Sequence, residues 1–376
     1  MLMGDTGKYF GIVAGVMFAS LLLVQQLAMF AGIMGQMYAG ISAVSADIWV
    51  MDPKVRYIDD SQPMTDGQLA RVRSVEGVAW AVKLYKGTVQ AKLGDGSNIG
   101  VALYGLDDAT FIGGPAVMVE GKLEHLRRSD AVIVDVQSAQ DKLGRTLADG
   151  TKAPLRVGDT LELNDRRVIV AGLCEVARGF QSMPVVYTTY NRALSIVPPQ
   201  RKNLSFILAT PKSGETADAV SARVKRVTGL AAYTSQQFIV KTVTYFVEET
   251  GVVISFALSV FIAFLIGTLI AGQTFYNFTM DNLRHFGALK AMGATNRTLL
   301  SMIVLQASFV GVLGFGTGTG FACLMGLGMR SGVVTFTLPW YVLAVTGVVV
   351  IAIVTIAAAF SLRKVVRLEP GIVFRG

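Results

Sequence analysis

Charge is scarce in this sequence. Asp, Glu, Lys and Arg make up 16% of its 376 residues, hydrophobic residues make up 52%, and the mean hydropathy is +0.52. Soluble globular domains carry about a quarter charged residues, so this balance excludes an ordinary soluble chain and indicates a membrane protein. The gaps between charges are long: 38 residues separate Lys8 from Asp47, 31 separate Glu249 from Asp281, 32 separate Arg297 from Arg330, and 32 separate Arg330 from Arg363. About 20 apolar residues cross a bilayer as a helix, so four spans are predicted. The first gap exceeds the ~7–15-residue apolar core of a secretory signal and leads into a folded segment, which predicts an uncleaved span.

Other scarcities narrow the function. The two cysteines, Cys174 and Cys323, fall in different kinds of segment and exclude a disulfide framework. His125 and His285 lack Cys or His neighbours at ligand spacing, so no metal site is predicted. No G-x-x-x-x-G-K-[ST] phosphate loop occurs, and "GFGTGTG" at 314–320 lies inside an apolar run without a following Lys. No nucleophile, base and orienting group form a motif. Asp135, Asp141 and His125 are near in sequence and read as surface charge, so a non-catalytic chain is predicted. The spans hold no internal Asp, Glu, Lys or Arg, which argues against an ion-driven transporter. Gln25, Gln26, Gln273 and Asn277 are their strongly polar residues and read as interhelical hydrogen-bonding groups. No basic stripe with interleaved aromatics is present, so no nucleic-acid partner is expected.

The charges that do occur set the topology. Residues 47–249 hold 25 basic and 23 acidic groups, a net of +2, whereas the rest of the chain holds 9 basic and 3 acidic, a net of +6. Arg284, Lys290 and Arg297 crowd the short loop after the second span, and Arg363, Lys364, Arg367 and Arg375 follow the fourth. Short basic segments stay cytoplasmic. Both termini and the 281–297 loop therefore face inward, and 47–249 faces outward.

The outward segment reads as mixed α/β. "WAVKLYKGTVQAKL", "SNIGVALYGL" and "MPVVYTTY" have strand character, "LRVGDTLELNDRRVIVAGLCEV" reads as two strands joined at "LNDRR", and 64–75 and 214–228 show helical spacing. "SQQFIVKTVTYFVEETGVVISF" reads as one helix continuing out of the second span, and the first span extends similarly; together they form a stalk. The predicted organisation is span 1 with its extension over 1–46, an extracytoplasmic α/β domain over 47–236, and stalk plus span 2 over 237–280. A cytoplasmic helix over 281–297, span 3 over 298–329, span 4 over 331–362 and a tail over 363–376 follow.

Two patterns remain. Gly11 and Gly15, Gly314 and Gly318, and Gly316 and Gly320 are each four apart, the spacing that lets helix backbones approach closely in lipid, within one chain or between two. In "RHFGALKAMGATNRTLL", Phe286, Leu289 and Met292 or Gly293 form an apolar stripe able to enter a hydrophobic groove. Gly287 and its neighbouring alanines keep other faces slim, and Arg284, Lys290 and Arg297 can meet acidic groups. The same residues could anchor the loop in an anionic lipid surface; the residues alone leave both roles open.

That stretch resembles the loop after the second span in FtsX-like, or MacB-type, ABC transporter permeases, and "LRKVVRLEPGIVFRG" resembles their closing pattern. "VSADIWVMD" and "GQTFYNFTMDNLRHFGALKAMGA" look closest to the DevC-like branch. The resemblance implies a bacterial inner-membrane subunit, paired with a second copy and surrounded by membrane lipids, whose 281–297 helix couples to a separate ABC ATPase. ATP and Mg would sit on that partner, and this chain would hold no cofactor. Hydrolysis would move a periplasmic domain, with a periplasmic adaptor and an outer-membrane channel, to export a lipid-like or amphiphilic substrate. The alternative within the family is an FtsX-like regulator that activates a cell-wall hydrolase and transports nothing.

Overall fold

The computed structural model describes residues 6–146, 152–176, 179, 183–201, 203–328 and 336–366. The chain divides into a membrane unit, Met1–Met34 with Gly251–Gly376, and an α/β unit, Gly35–Thr250.

The first helix, α1 (Thr6–Ser42), begins in the membrane unit and ends in the α/β unit. There follow β1 (Ile48–Met51), α2 (Asp66–Arg73), β2 (Val78–Lys92), β3 (Asn98–Leu106), β4 (Val117–Glu120), β5 (Ala131–Asp135) and α3 (Val136–Gln140). Then come the two-residue strands β6 (Arg145–Thr146) and β7 (Lys152–Ala153), β8 (Thr160–Leu163), β9 (Arg166–Glu175), β10 (Val185–Thr189) and α4 (Tyr190–Ile196). The unit closes with β11 (Phe206–Pro211), α5 (Ala217–Thr228), β12 (Ala231–Thr234) and α6 (Ser235–Glu249). The remainder is α7 (Val252–Asp281), α8 (Leu283–Ala291), α9 (Asn296–Gly328) and α10 (Trp340–Val366).

Ten strands form one sheet in the order β12-β1-β11-β2-β3-β10-β5-β9-β4, with β8 bridging β2 and β9. The β3–β10 and β5–β9 pairs are parallel and the rest antiparallel. The expected strands are all present. The turn read at "LNDRR" places Asn164 at φ 46° and Asp165 at φ 61°. Two successive left-handed residues match the twist of a two-residue hairpin, and Asn and Asp tolerate that region better than other side chains.

Both faces of the sheet are covered. Ile48 and Val50 of β1 join Val72, Tyr190 and Val220 on one face, while Trp49 and Met51 join Leu84, Phe206 and Phe238 on the other. Strand β1 is therefore apolar at every position, as expected of a strand buried on both sides. Trp49 is fully buried, its ring 5.5 Å from both Phe206 and Phe238, and its indole N–H donates to Ser235 at 3.1 Å. Helix α5 is capped at both ends, by the Thr216 hydroxyl accepting from the Ala219 amide and by left-handed Gly229. Cys174 is buried in β9, and burial, reinforced by the Asp135 charge, pushes its thiol up to about 12. Both cysteines are free.

One expectation fails at the unit boundary. The 237–280 segment is two helices, not one: α6 ends at Glu249 and α7 starts at Val252, with Gly251 between them at φ 66°. A left-handed residue terminates an α-helix, and glycine adopts that conformation without a Cβ clash.

Among the described residues four helices are long and apolar enough to cross a bilayer, within Tyr9–Ser42, Val252–Asp281, Arg297–Gly328 and Trp340–Ala359. The predicted tail begins inside α10, and its part from 367 onward lies outside the described residues. The bundle core contains Val16, Ala19 and Leu23 of α1, Ala271, Phe275 and Phe278 of α7, Ile303 and Val310 of α9, and Ile353 and Ala357 of α10. Gln273 donates to Asn277 on its own helix at 3.4 Å, and Gln25 lies 4.0 Å from the Met29 sulfur on α1. These amides pair within a helix, where bonds between helices were expected, because each finds its partner one turn away.

Candidate functional site

The 281–297 segment is an ordered corner. Helix α7 ends at Asp281, Asn282 changes the chain's direction at φ −96° and ψ 9°, and α8 follows at once. The Asn282 amide side chain donates to the Phe278 carbonyl at 2.9 Å, and the Phe286 N–H donates to the Asn282 carbonyl at 3.1 Å. The Phe278 carbonyl also accepts the Asn282 N–H at 3.1 Å, so Asn282 closes α7 with two bonds while its own carbonyl accepts the first bond of α8.

The far end of α8 is closed by a second device. The Ala294 N–H donates to the Leu289 carbonyl at 3.0 Å and the Gly293 N–H to the Lys290 carbonyl at 3.1 Å, with Gly293 at φ 96°. This is the Schellman arrangement, completed by the apolar pair Leu289 and Ala294, which both pack against the bundle core. "LKAMGA" is thus a helix-stop signal. Gly293 sits there for its backbone conformation; nothing lies within 4 Å of where its Cβ would stand. Gly293→Val is expected to cost about 1–2 kcal/mol. Hydrogen exchange over 283–294 should speed up roughly tenfold while exchange in α5 stays unchanged.

Burial corrects the expected docking stripe. Phe286 is 1% exposed and belongs to the bundle core with Phe275, Phe278 and Leu299. Gly287 is also buried, and Leu289 is half-buried against the same core. Of the predicted stripe, Phe286 and Leu289 face inward against the bundle, while Met292 and Gly293 stay outward. The outward residues are Arg284, His285, Ala288, Ala291, Met292 and Gly293, with Met292 75% exposed. Lys290 is half-buried, and Arg297, in the first turn of α9, is exposed. His285 joins Ala288 and Ala291, the alanines read as keeping a face slim, on this outward side. Their signal was the Leu289–Gly293–Ala294 spacing, which fixes the helix phase once it is recognised as a Schellman ending.

The glycine pairs separate as well. A Cβ on Gly15 would stand 2.7 Å from Ile270 of α7, while one on Gly11 would make only ordinary contact with Thr274 at 3.9 Å. A Cβ on Gly314 would stand 2.6 Å from Val16, and one on Gly318 would strike the Met17 carbonyl and stand 2.7 Å from Ser20. Gly314 and Gly318 therefore let α9 lie against the α1 backbone. Gly316 and Gly320 meet nothing within 4 Å and lie on the outer side of α9.

Four apolar helices, an α/β domain inserted after the first, and a rigid basic corner on the loop after the second define a multi-span membrane subunit with an extramembrane domain. Two family models place it further: residues 9–227 match the MacB-like periplasmic core domain and residues 234–370 match the FtsX-like permease C-terminal region. The chain belongs to the FtsX/MacB family of ABC transporter permeases. The models draw no line at the DevC-like branch.

Relatives agree at that level. An uncharacterized ABC transporter permease of Mycobacterium tuberculosis is 23% identical over 84% of this chain and 80% of its own length. One of Methanocaldococcus jannaschii is 24% identical, over 43% of this chain and 41% of its own length. Among solved structures, the periplasmic region of MacB from Actinobacillus actinomycetemcomitans matches 56% of this chain and 96% of its own at 15% identity and TM-score 0.38. The extracellular domain of YknZ, a noncanonic ABC-type transporter from Gram-positive bacteria, matches 50% of this chain and 98% of its own at 14% identity and TM-score 0.35.

Proposed function

We propose that this chain is the force-receiving membrane subunit of an ABC export complex. A separate ATPase, carrying ATP and Mg, docks on the outward face of α8 from the cytoplasm. Hydrolysis moves the α/β domain on the opposite side of the bacterial inner membrane and drives export of a lipid-like or amphiphilic substrate. Two copies of the chain serve one pair of ATPase subunits, and a periplasmic adaptor with an outer-membrane channel completes the path.

The observation that carries this reading is the construction of α8. The helix is closed at both ends and rooted in the bundle through Phe286, while Arg284, Ala288, Ala291 and Met292 stand outside. A packed helix moves as a rigid element. A push on its outer face is delivered to Phe275, Phe278 and Leu299, the core neighbours of Phe286 on α7 and α9. The small side chains Ala288 and Ala291 allow close approach, Met292 supplies an adaptable apolar contact, and Arg284 offers a charged anchor.

The test is reconstitution with the candidate ATPase. A Met292→Asp, Ala288→Asp double variant is expected to keep the melting temperature of the parent chain and to lose ATPase stimulation at least tenfold. Full stimulation by this variant would contradict docking on this face.

A further inference from the structure

Strand β2 carries a buried lysine at the point where its neighbours change. Strand β11 pairs with β2 from Val78 to Leu84, and β3 pairs with it from Tyr85 to Lys92. Lys86 stands just past that change. Its side chain is 7% exposed, pairs with the Asp59 carboxylate, and has its ammonium 5.5 Å from the centre of the Tyr104 ring. Its backbone is held as well: the Lys86 N–H donates to the Ser205 hydroxyl at 3.0 Å, and the Ser61 hydroxyl donates to the Lys86 carbonyl at 3.2 Å. Burying an ion pair adds little stability, because desolvation of both charges offsets their attraction; its best-attested use is to fix a register or to serve as a switch.

The partners of Lys86 lead to two helices. Asp59 follows Tyr57 and Ile58 in the segment after β1. The Tyr57 ring stacks on Tyr245 of α6 at 4.9 Å and meets Phe246 edge-on at 5.2 Å, and the Arg56 guanidinium lies 5.9 Å over the Tyr245 ring. Ile58 is buried, and a Cβ on Gly40 of α1 would stand 3.0 Å from its side chain and 3.1 Å from the Tyr104 hydroxyl. Residues 56–59 therefore touch α6 and α1 on one side and β2 on the other. The pair also has room to open. A cavity of about 380 Å3 is lined by both Asp59 and Lys86, and a space of about 40 Å3 borders both and also Gln36, Met37 and Gly40 of α1. A lysine released from Asp59 can swing its flexible four-carbon stem into the larger cavity and take up water there.

We propose that the Lys86–Asp59 pair is a latch that couples α1 and α6 to the far part of the sheet, strands β3, β10, β5, β9 and β4. Closed, it makes residues 56–59 and β2 one packed body, and a movement of either helix is carried across β2 into β3. Open, the segment follows the helices and β3 does not. The near part of the sheet needs no latch, because Trp49 of β1 already holds α6 through Ser235 and Phe238. As a step in ATP-driven movement the latch rests on the export reading above; as a link inside the α/β unit it does not.

The test is a double-mutant cycle read by hydrogen exchange on the full chain in nanodiscs. Tyr57→Ala loosens the segment from α6, and Lys86→Met with Asp59→Asn removes both charges of the pair together, so that neither is left buried alone. In the parent background Tyr57→Ala is expected to speed exchange at 85–88 and 102–105 about threefold or more. In the neutral-pair background it should leave these amides unchanged, and in Lys86→Arg, which keeps the pair, the response should persist. Asp59→Asn alone, at a side chain 34% exposed, should abolish the response equally and decides the matter if the neutral pair misfolds. A response of equal size with and without the pair, or none in the parent, overturns the latch. With the candidate ATPase added, ATP should alter exchange at 102–105 in the parent and not in the neutral-pair chain, while ATPase stimulation through α8 is the same in both. An ATP response at 102–105 that survives neutralisation also overturns the latch. Absence of stimulation in both chains is failure of the export reading, and the cycle without ATPase then decides the latch by itself.

Discussion

Phe286→Asp is expected to unfold the membrane unit, whereas Met292→Asp, six residues on, leaves it folded. Phe286 is among the largest fully buried side chains of the described residues and belongs to the same bundle core as Phe275 and Phe278 of α7 and Leu299 of α9. Emptying a buried phenylalanine site costs about 3–5 kcal/mol, and placing an uncompensated carboxylate there costs more. The loss should total about 4 kcal/mol or more, comparable to the whole stability of many domains. In a detergent melt the variant should show no cooperative transition of the membrane unit, and protease should cut between the spans. Met292 is 75% exposed, so an aspartate there meets solvent and the melt should be unchanged. A Phe286→Asp chain that melts like the parent would show that α8 does not root in the bundle. The contrast also guards against misreading function: lost ATPase coupling in Phe286→Asp reports unfolding, and only the Met292 variant reports docking.

The second large effect lies where α9 meets α1. Gly318→Leu and Gly314→Leu should each destabilise the bundle by about 2–3 kcal/mol, because the new side chain meets the α1 backbone and cannot be relieved by a rotamer change. At Gly318 the Met17 carbonyl and the Leu21 nitrogen, 3.0 Å away, leave no room; at Gly314 the Met17 nitrogen is 3.1 Å away. Gly316→Leu and Gly320→Leu point into open space and should leave the melting temperature within a degree or two. If the two copies of the proposed dimer meet along α9, these two variants will instead change the sedimentation of the detergent-solubilised chain. Equal sensitivity at all four positions would refute the assignment of inner and outer faces.

The contrast between the two glycine pairs shows what was legible in the sequence. The spacing of four marked both pairs alike, whereas Gly314 and Gly318 lie against the α1 backbone and Gly316 and Gly320 meet nothing in the described chain. Composition fixes a periodicity but not which of two neighbouring faces turns inward, since a helix in lipid is apolar all round. The spans themselves were legible because a bilayer imposes a length and forbids charge. Strands β2, β3, β8, β9 and β10 were legible through alternation and turn residues. Strands β1 and β11 were not, because both are buried on two faces and lack a polar alternate.

The candidate site was half legible. The basic, glycine-punctuated loop was identifiable, and the resemblance of "LRHFGALKAMGATNRTLL" to the FtsX/MacB permeases agrees with both family models. Of the residues singled out, Phe286, Gly287 and Leu289 turn inward, while Arg284, Met292 and Gly293 stay on the outer face. An apolar stripe on a helix is equally a docking surface and a packing surface, and α8 uses Phe286 and Leu289 to hold itself to its own bundle. The break at Gly251 was missed for a related reason. A glycine at the end of an amphipathic run is compatible with a continuous helix until its φ of 66° is seen.

In the proposed complex the outer face of α8 receives the ATPase. Photo-crosslinking tests it most directly. Benzoyl-phenylalanine is placed singly at positions 286, 288 and 292 of the full chain, the candidate ATPase is added, and the adducts are identified by mass spectrometry. ATPase adducts are expected from 288 and 292, and from 286 only adducts within the chain. ATPase adducts from 286 with none from 288 or 292 would contradict it, as would no ATPase adduct from any of the three.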